Sequence, residues 1–466
     1  MELLVVLFSL AALVWMIPII RNGYLLMLMT VVLAVGTILG PEFFHIDGPI
    51  QISLDRVLWA AAVVLAVIGW RVGYVKLPML TRIDCFVVGI VGWFLISALS
   101  GENSNLGSRS LALWIFFVVM PAGMYGLARL IPITRWDVRW ILGGSILLGL
   151  YLAVTAVFEV LGLHSFVFPR YITDPDQWIF FGRGRGPLMN PVGNGVLISI
   201  ALIAAAIGFV NSGRQVGFAY ALIGLVLLPG VYATLTRSVW VGAIAALGMI
   251  SLFHTPRWAR TLALMAAVLV VGLSATGFKD QVMRMKRDKE LTAEAAEHSI
   301  QLRPLLAIIA WEMFKDRPIA GHGFWQYFSH NDPYHNVASY NLPLDQARSY
   351  AQHNVFLAIL VDTGLIGSFL FFGFLLSLFG IAWRMASEST APTESRNVGL
   401  LILSALAMYI VNGMFHNLMV IPMVHMFLFF MAGVAVTLHQ NGLTIVAPNE
   451  SKYQATEPIT LCPDPV

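Results

Sequence analysis

Charge and cysteine are both scarce in this sequence. Only 11% of the 466 residues are Asp, Glu, Lys or Arg, whereas soluble proteins carry about 25% charged residues. The two cysteines, Cys85 and Cys462, are too far apart along the chain for a metal-binding or redox motif, and they define no disulfide framework. The formal net charge of +3 is spread over short segments, which argues against a nucleic-acid-binding protein. The sequence also lacks the internal repeat that marks inverted-repeat transporters.

Long apolar runs make up most of the chain. Hydrophobic residues account for 58% of it, and its mean hydropathy is +0.78. Apolar runs of about 20 residues are long enough to cross a bilayer as helices. The sequence therefore predicts an all-α, polytopic membrane helical bundle with about 12 or 13 transmembrane helices. The predicted spans are 3–20, 24–40, 55–72, 83–100, 109–130, 138–162, 189–210, 216–235, 238–254, 258–276, 353–383, 397–416 and 419–438.

Four regions follow from this pattern. Residues 1–276 form about the first ten transmembrane helices, and 277–352 form a large loop with short helices. Residues 353–438 form the C-terminal transmembrane helices, and 439–466 form a disordered cytoplasmic tail. The first apolar run lacks a basic n-region and a small-residue cleavage site, so we predict a retained helix rather than a signal peptide.

Basic residues recur in alternate gaps between the spans. By the positive-inside rule these gaps are cytoplasmic, which predicts a multi-pass protein of a bacterial inner membrane. The basic residues are Arg21, Arg71, Lys76, Arg82, Arg129, Arg135, Arg139, Arg214, Arg257, Arg260, Arg384 and Arg396. The 163–188 segment, the Thr236–Arg237 turn and the large loop then share the periplasmic face. We expect the functional residues on that face.

The large loop is the most polar part of the chain. Between Gly277 and Gln352 it contains nine Lys or Arg and nine Asp or Glu residues. Arg303 precedes an apolar periodicity that predicts an amphipathic helix, with Pro304 in its first turn. An arginine at such a helix start favours binding of an anion, because its charge adds to that of the free backbone N–H groups. The alternative is one more solvated arginine in a charged loop.

Arg237 and His353 stand at predicted helix starts on the same face. Arginine binds phosphate through two parallel hydrogen bonds and keeps its charge, so Arg237 is suited to an anionic headgroup; the alternative is an anchor at the membrane surface. His353 precedes Asn354 where the chain re-enters the membrane. It can act as a general base near neutral pH, or it can be part of a helix cap. Asp362 can bind an acceptor hydroxyl or a cation, or be buried beside a local partner.

A glycine-rich basic turn precedes the helix that follows Pro191. Arg183 and Arg185 alternate with glycines there, and Asn190 follows, so the turn can cradle a diphosphate or form an ordinary loop. It is not a P-loop, because the terminal Gly-Lys-Ser/Thr is missing. A metal site built from His322, His330, His335 and His353 is disfavoured, since their spacing matches no compact ligand pattern.

The order of these segments resembles the O-antigen ligase and O-antigen polymerase family of bacterial membrane glycosyltransferases. The similarity runs over about residues 183–375. It includes a D-x-P-x-x-G-x-G turn at 316–323, His353-Asn354, and the G-x-x-G of Gly364 to Gly367. His322 stands where the family commonly has Val or Ile.

The resemblance implies metal-independent transfer of a glycan from an undecaprenyl-diphosphate carrier, without a cofactor. The acceptor would be lipid A–core or another glycan, and membrane lipids would surround the protein. Arg237, Arg303 and His353 correspond to the family's essential residues. We expect substrate contacts from Arg183, Arg185, Asn190, His322 and Asn354. Polymerase activity with the same donor stays open, as does transport of the lipid carrier without chemistry, for which the main candidate is Glu159 near a helix end.

Overall fold

The structure is a computed structural model that describes residues 25–46, 51–100, 104–255, 293–337 and 340–443. Within these ranges the chain is almost entirely helical, which confirms the predicted all-α class. Two short strands, β1 (His45–Ile46) and β2 (Ile52–Ser53), form an antiparallel pair.

Fourteen α-helices are present among the described residues. In chain order they are α1 (Leu25–Ile38), α2 (Leu54–Arg71), α3 (Arg82–Leu99), α4 (Ser104–Trp114), α5 (Met120–Arg129), α6 (Arg135–Leu161), α7 (Pro191–Asn211), α8 (Arg214–Ala233), α9 (Arg237–His254), α10 (Ala293–Asp316), α11 (Tyr327–His330), α12 (Val355–Ser387), α13 (Thr393–Gly413) and α14 (Pro422–Gln440). A π-helical turn, Ile115–Val119, joins α4 to α5. Short 3-10 helices lie at His164–Phe166, Arg170–Thr173, Asp332–Asn336, Leu344–Ala347 and Leu418–Val420.

Nine helical segments in the described part of the chain are long and apolar enough to cross a membrane. They are α3, the segment Arg109–Arg129, α6, α7, α8, α9, α12, α13 and α14. The chain is therefore a multi-pass membrane protein. Every predicted span within the described residues corresponds to an observed helix or to the joined α4–α5 segment. The predicted spans 3–20 and 258–276, residues 277–292 and the tail after 443 lie outside the described residues, so the total number of spans stays a prediction.

Helices α7 and α14 form the centre of the bundle. Residues 191–205 of α7 and 423–438 of α14 are all buried. By contrast, α8 and α12 carry exposed apolar side chains such as Leu225 and Leu376. These side chains suit a surface covered by lipid, since such exposure is costly in water.

A buried ion pair lies at the end of the bundle where α3 begins and α5 ends. Arg129 Nε lies 3.0 Å from Asp84 Oδ1, and Arg129 Nη2 donates to the Met79 carbonyl at 2.9 Å. Asp84 also completes the capping box of α3 with Thr81. The residues that resemble the family motifs all lie at the opposite end.

Residues 293–337 and 340–352, here called the loop unit, pack on that opposite end. Its helix α10 contributes most of a small apolar core that also includes Val361 of α12. The prediction that Pro304 stands in the first turn is wrong, because α10 already includes Ala293 and Pro304 lies inside the helix. Pro304 is exposed, so water can bond to the carbonyl that the proline leaves without a donor. Arg303 therefore lies within α10 and not at its start.

Candidate active site

Helix α12 is broken where it passes the loop unit. Gly364 has φ 64° and ψ −161°, so the helical hydrogen bonding is interrupted there. The N–H of His322 donates to the freed Val361 carbonyl at 2.8 Å, and the N–H of Leu365 donates to the Pro318 carbonyl at 2.8 Å. The 318–323 turn thus supplies partners for the backbone groups that the break releases.

Two further carbonyls at the break are also bonded. The Asp362 carbonyl accepts the Gly323 N–H at 3.0 Å and the Ser97 hydroxyl at 2.9 Å. The Thr363 carbonyl accepts Trp93 Nε1–H at 2.9 Å. Helix α3 and the loop unit therefore bond to the backbone at the break from two sides. These bonds fix the position of the Asp362 backbone.

Glycine is required on both sides of this contact. Gly321 has φ 76°, and a Cβ placed on it would lie 2.6 Å from the carbonyl of Asp362. A Cβ on Gly364 would lie 2.7 Å from Ala320 N and would also overlap the Ile319 carbonyl. The two glycine motifs in the sequence are therefore the two halves of one backbone-to-backbone contact.

A cavity of about 240 Å³ lies between the loop unit and the bundle. We call it the interfacial cavity. Its lining comes from the loop before α7, the loop unit, α12 and the connection between α13 and α14. The lining residues are Phe180, Arg183, Asn190, Val192, Trp325, Tyr327, Phe328, Ala351, Gln352, His353, Asp362, His416, Asn417, Val420 and Ile421.

The connection between α13 and α14 contacts both arginine-bearing helices. The Arg303 guanidinium of α10 lies 5.4 Å from the centre of the Phe415 ring, within the range of a cation–π contact. His416 Nε2 lies 3.1 Å from Ser238 Oγ, and Ser238 follows Arg237 at the start of α9. The structure thus brings Arg303 and the start of α9, which carries Arg237, to the same connection, although they are far apart in sequence.

His353 shares the interfacial cavity with this connection. It lines the cavity together with His416 and Asn417. The next residue, Asn354, caps α12 through its Oδ1, and its Nδ2 donates to the Met414 carbonyl at 3.2 Å. Both ends of this amide bond to the protein, and the bonds fix the backbone next to His353. The expected substrate contact of Asn354 stays a prediction.

Arg183 and Asn190 both line the cavity, as expected for substrate contacts. Arg183 is buried; its Nε donates to the Thr234 carbonyl at 3.3 Å, and its Nη2 donates to Thr236 Oγ1. Because Thr236 immediately precedes α9, Arg183 also holds the chain where Arg237 begins that helix. Asn190 caps α7 by accepting N–H groups of the first turn.

Arg185 points away from the cavity, and the expected diphosphate cradle is incomplete. Its guanidinium donates to the carbonyls of Ile172 at 2.7 Å and Ile179 at 2.7 Å, and to those of Gln177 and Asp174. Burial lowers the pKa of Arg185, although nearby acidic charges oppose this shift. Arg185 therefore holds the 172–186 loop together, and its expected substrate contact stays a prediction.

His322 also lies away from the cavity. Its ring is buried under α10, and Nε2 donates to the Met313 carbonyl at 2.8 Å. Burial lowers the pKa of His322, and the nearby His330 and Arg317 lower it further. His322 thus makes an internal contact of the loop unit, and its expected substrate contact stays a prediction.

Sequence reasoning missed His416 and Asn417. They repeat the His-Asn order of His353 and Asn354, and in both places the asparagine caps the helix that follows. This repeated His-Asn before a helix was the available signal. It was missed because residues 397–416 were assigned to a membrane span, which left His416 as an ordinary helix end.

Together the fold and the site define a multi-pass membrane protein with Arg183, His353 and His416 lining a cavity at one end. Arg237 and Arg303 are not among the lining residues, but their helices contact the α13–α14 connection that lines this cavity. The family model described as O-antigen ligase matches residues 222–372. This segment contains Arg237, Arg303 and His353 as well as the broken part of α12, so the resemblance drawn from the motifs is confirmed. No curated protein matches the chain. The matched segment supports an enzyme of the O-antigen ligase type.

Proposed function

We propose that the protein is a membrane glycosyltransferase that moves a glycan from an undecaprenyl-diphosphate carrier to an acceptor such as lipid A–core. The transfer takes place on the periplasmic face of the bacterial inner membrane. One observation carries the proposal. The α13–α14 connection contacts Arg303 and the residue after Arg237, and it shares the interfacial cavity with His353.

The charges around the cavity favour a diphosphate. Arg183 lines the cavity, and arginine stays protonated at any physiological pH. The starts of α7 and α12 also face it through Asn190 and His353. Helix N-termini carry partial positive charge, which stabilises an anion by roughly 0.3–1 kcal/mol each. In our proposal these groups, and not a divalent cation, balance the charge of the leaving diphosphate.

The proposed reaction is a single displacement. The acceptor hydroxyl oxygen bonds to the anomeric carbon of the glycan, and the bond from that carbon to the phosphate oxygen breaks. Undecaprenyl diphosphate leaves with the electron pair, while His353 takes the hydroxyl proton. A histidine suits this role because its ordinary pKa of about 6.5 lies close to the working pH. Arg237 and Arg303 stabilise the charge that develops on the diphosphate.

Release of polyprenyl diphosphate from a synthetic lipid-linked disaccharide tests the proposal. The purified protein is placed in phospholipid nanodiscs with EDTA and an acceptor lipid. We expect release by the wild type and a roughly 100- to 1,000-fold loss in Arg237→Ala, Arg303→Ala and His353→Ala, since one preorganised donor is worth about that much. The matched control is Arg348→Ala, which removes an exposed arginine of the loop unit that pairs with Asp332 and Asp345.

The size of the products separates the related activities. One added glycan on the acceptor indicates a ligase, whereas a ladder on the lipid carrier indicates a polymerase. Donor binding without release by the wild type would refute the transferase and leave carrier transport. Glu159, the main candidate for a transport residue, does not favour that alternative. Its carboxylate accepts the backbone N–H groups of Arg185 at 3.1 Å and Gly186 at 2.9 Å, which gives Glu159 a structural role in the loop before α7.

A further inference from the structure

Three residues that line the interfacial cavity each carry a buried side-chain atom without a hydrogen bond of normal geometry among the described residues. The atoms are Tyr327 Oη, Gln352 Oε1 and Asp362 Oδ1. The Tyr327 hydroxyl also interacts with the Asn331 side chain, which acts to lower the pKa of Tyr327, so the clearer cases are Gln352 Oε1 and Asp362 Oδ1. A buried polar atom without a partner costs about 1–3 kcal/mol, and a ligand in the cavity that bonds to these atoms removes that cost.

The protein holds the Asp362 carboxylate in place through several hydrogen bonds. The other carboxylate oxygen of Asp362, Oδ2, accepts the backbone N–H of Trp325 at 3.1 Å. The broken segment of α12 fixes the backbone of Asp362 through bonds from Ser97 and Gly323. Gln352 is only 5% exposed. Rigid acceptors of this kind recognise hydroxyl groups with little loss of conformational freedom on binding.

Aromatic side chains complete the surroundings. Trp325 and Phe328 line the cavity beside the unpartnered atoms, and Phe180 lines it from the loop before α7. A sugar ring presents hydroxyl groups at its edge and C–H groups on its faces, so it suits acceptor oxygens next to aromatic rings. A metal ion suits the cavity less, because the same lining includes the cationic Arg183.

We propose that Asp362, Gln352 and Tyr327 form a subsite for a sugar ring, in which Asp362 and Gln352 accept hydrogen bonds from ring hydroxyls. This inference rests on the proposed function and adds the substrate group that occupies this part of the cavity. The sugar belongs either to the lipid-linked donor or to the acceptor, since both present the same hydroxyl chemistry.

Ligand-observed saturation-transfer NMR tests the subsite without requiring turnover. The full-length protein in phospholipid nanodiscs is mixed with the methyl glycosides of glucose, galactose, mannose, rhamnose and N-acetylglucosamine. Detergents with sugar headgroups are left out. The variants are Asp362→Asn, Gln352→Met and Tyr327→Phe. The matched control is Tyr334→Phe, which removes a hydroxyl bonded to Asp316 at 2.8 Å outside the cavity.

We expect at least one glycoside to bind the wild type and Tyr334→Phe, with binding about tenfold weaker in Asp362→Asn and Gln352→Met. Tenfold corresponds to about 1.4 kcal/mol. If Asp362→Asn does not fold, Gln352→Met and Tyr327→Phe carry the test. Unchanged binding in the folded variants, or no binding of any glycoside to the wild type, overturns the subsite.

Two further measurements show whether the bound sugar belongs to the donor or to the acceptor. They also distinguish failure of the subsite from failure of the proposed transferase. Displacement of the bound glycoside by the polyprenyl-diphosphate disaccharide assigns the subsite to the donor sugar, whereas undisturbed binding assigns it to the acceptor. Glycoside binding without any glycan transfer would support the subsite and refute the transferase. Transfer by variants with unchanged KM for donor and acceptor would refute only the subsite.

Discussion

Replacing Gly364 by alanine tests the contact between the broken helix and the loop unit. Its φ of 64° and ψ of −161° lie in a region that is essentially restricted to glycine, and occupying it with alanine costs about 1–3 kcal/mol. The added Cβ would lie 2.7 Å from Ala320 N, so the turn must shift and the Leu365–Pro318 hydrogen bond weakens. A bond of this kind contributes about 0.5–1.5 kcal/mol. We expect a total loss of about 1.5–4.5 kcal/mol.

The measurement is thermal unfolding of the purified protein, followed by tryptophan fluorescence, together with limited proteolysis of the loop unit. Gly380→Ala is the control in the same helix, because a Cβ there meets no heavy atom within 4 Å and alanine favours a helix by about 0.5–1 kcal/mol over glycine. We expect Gly364→Ala to unfold at a lower temperature and to expose the loop unit to protease. Equal unfolding temperatures for the two variants would refute the contact.

A second substitution on the facing side makes this test stricter. Gly321→Ala should destabilise the same contact, since its Cβ would meet the Asp362 carbonyl at 2.6 Å. Once the first alanine has separated the two backbones, the second alanine causes little further loss of stability. The double variant should therefore lose less stability than the two single losses together, with a coupling of about 0.5–3 kcal/mol. Strict additivity would show that the two glycines act independently.

Three other outcomes are expected. Arg185→Lys should lower the unfolding temperature more than the exposed Arg170→Lys does, because one ammonium group cannot bond to the four carbonyls that surround the guanidinium; equal melting would contradict the assigned role. His416→Ala should reduce polyprenyl-diphosphate release at least about tenfold, and unchanged release would exclude His416 from the site. Burial holds the pKa of His322 in the folded protein below its ordinary value of about 6.5. As the pH falls, this histidine is therefore protonated in the unfolded chain before it is protonated in the folded protein. The free energy of unfolding should then decrease below about pH 6.5. The decrease in unfolding temperature between about pH 7.5 and 5.5 should be smaller in His322→Gln, and an equal decrease would refute this assignment.

Most of the membrane helices could be predicted from the sequence, because apolar runs bounded by charged or glycine-rich turns leave little choice of structure in a bilayer. The long-range contacts could not. Nothing in the sequence near Arg303 indicates that it lies over Phe415, since that contact depends on how α10 packs on the bundle. The start of α10 was misplaced for a related reason. Pro304 suggested a helix start, but its exposed position lets the helix continue through it.

The two arginines of the glycine-rich turn show a further limit of sequence reasoning. Arg183 and Arg185 have the same neighbours in sequence, yet only Arg183 lines the cavity. The chain turns tightly at Gly184, where the Arg185 N–H donates to the Arg183 carbonyl at 2.6 Å, and the two guanidinium groups bond to different parts of the protein. One arginine then meets the carbonyls before α9, and the other meets the carbonyls of its own loop. A charge pattern alone does not tell which of the two faces a ligand.

The loop unit is attached to α12 in a way that keeps the geometry of the site independent of the side chains that line it. Its turn is joined to α12 mainly through backbone groups, at Val361, Asp362 and Leu365. Backbone bonds do not depend on which side chains line the cavity, apart from the two glycines that allow the close approach. Side chains on the acceptor side can therefore change without moving the backbone that carries Arg303 and His353. The proposed reaction centre for a diphosphate carrier is compatible in this way with different sugars and acceptors.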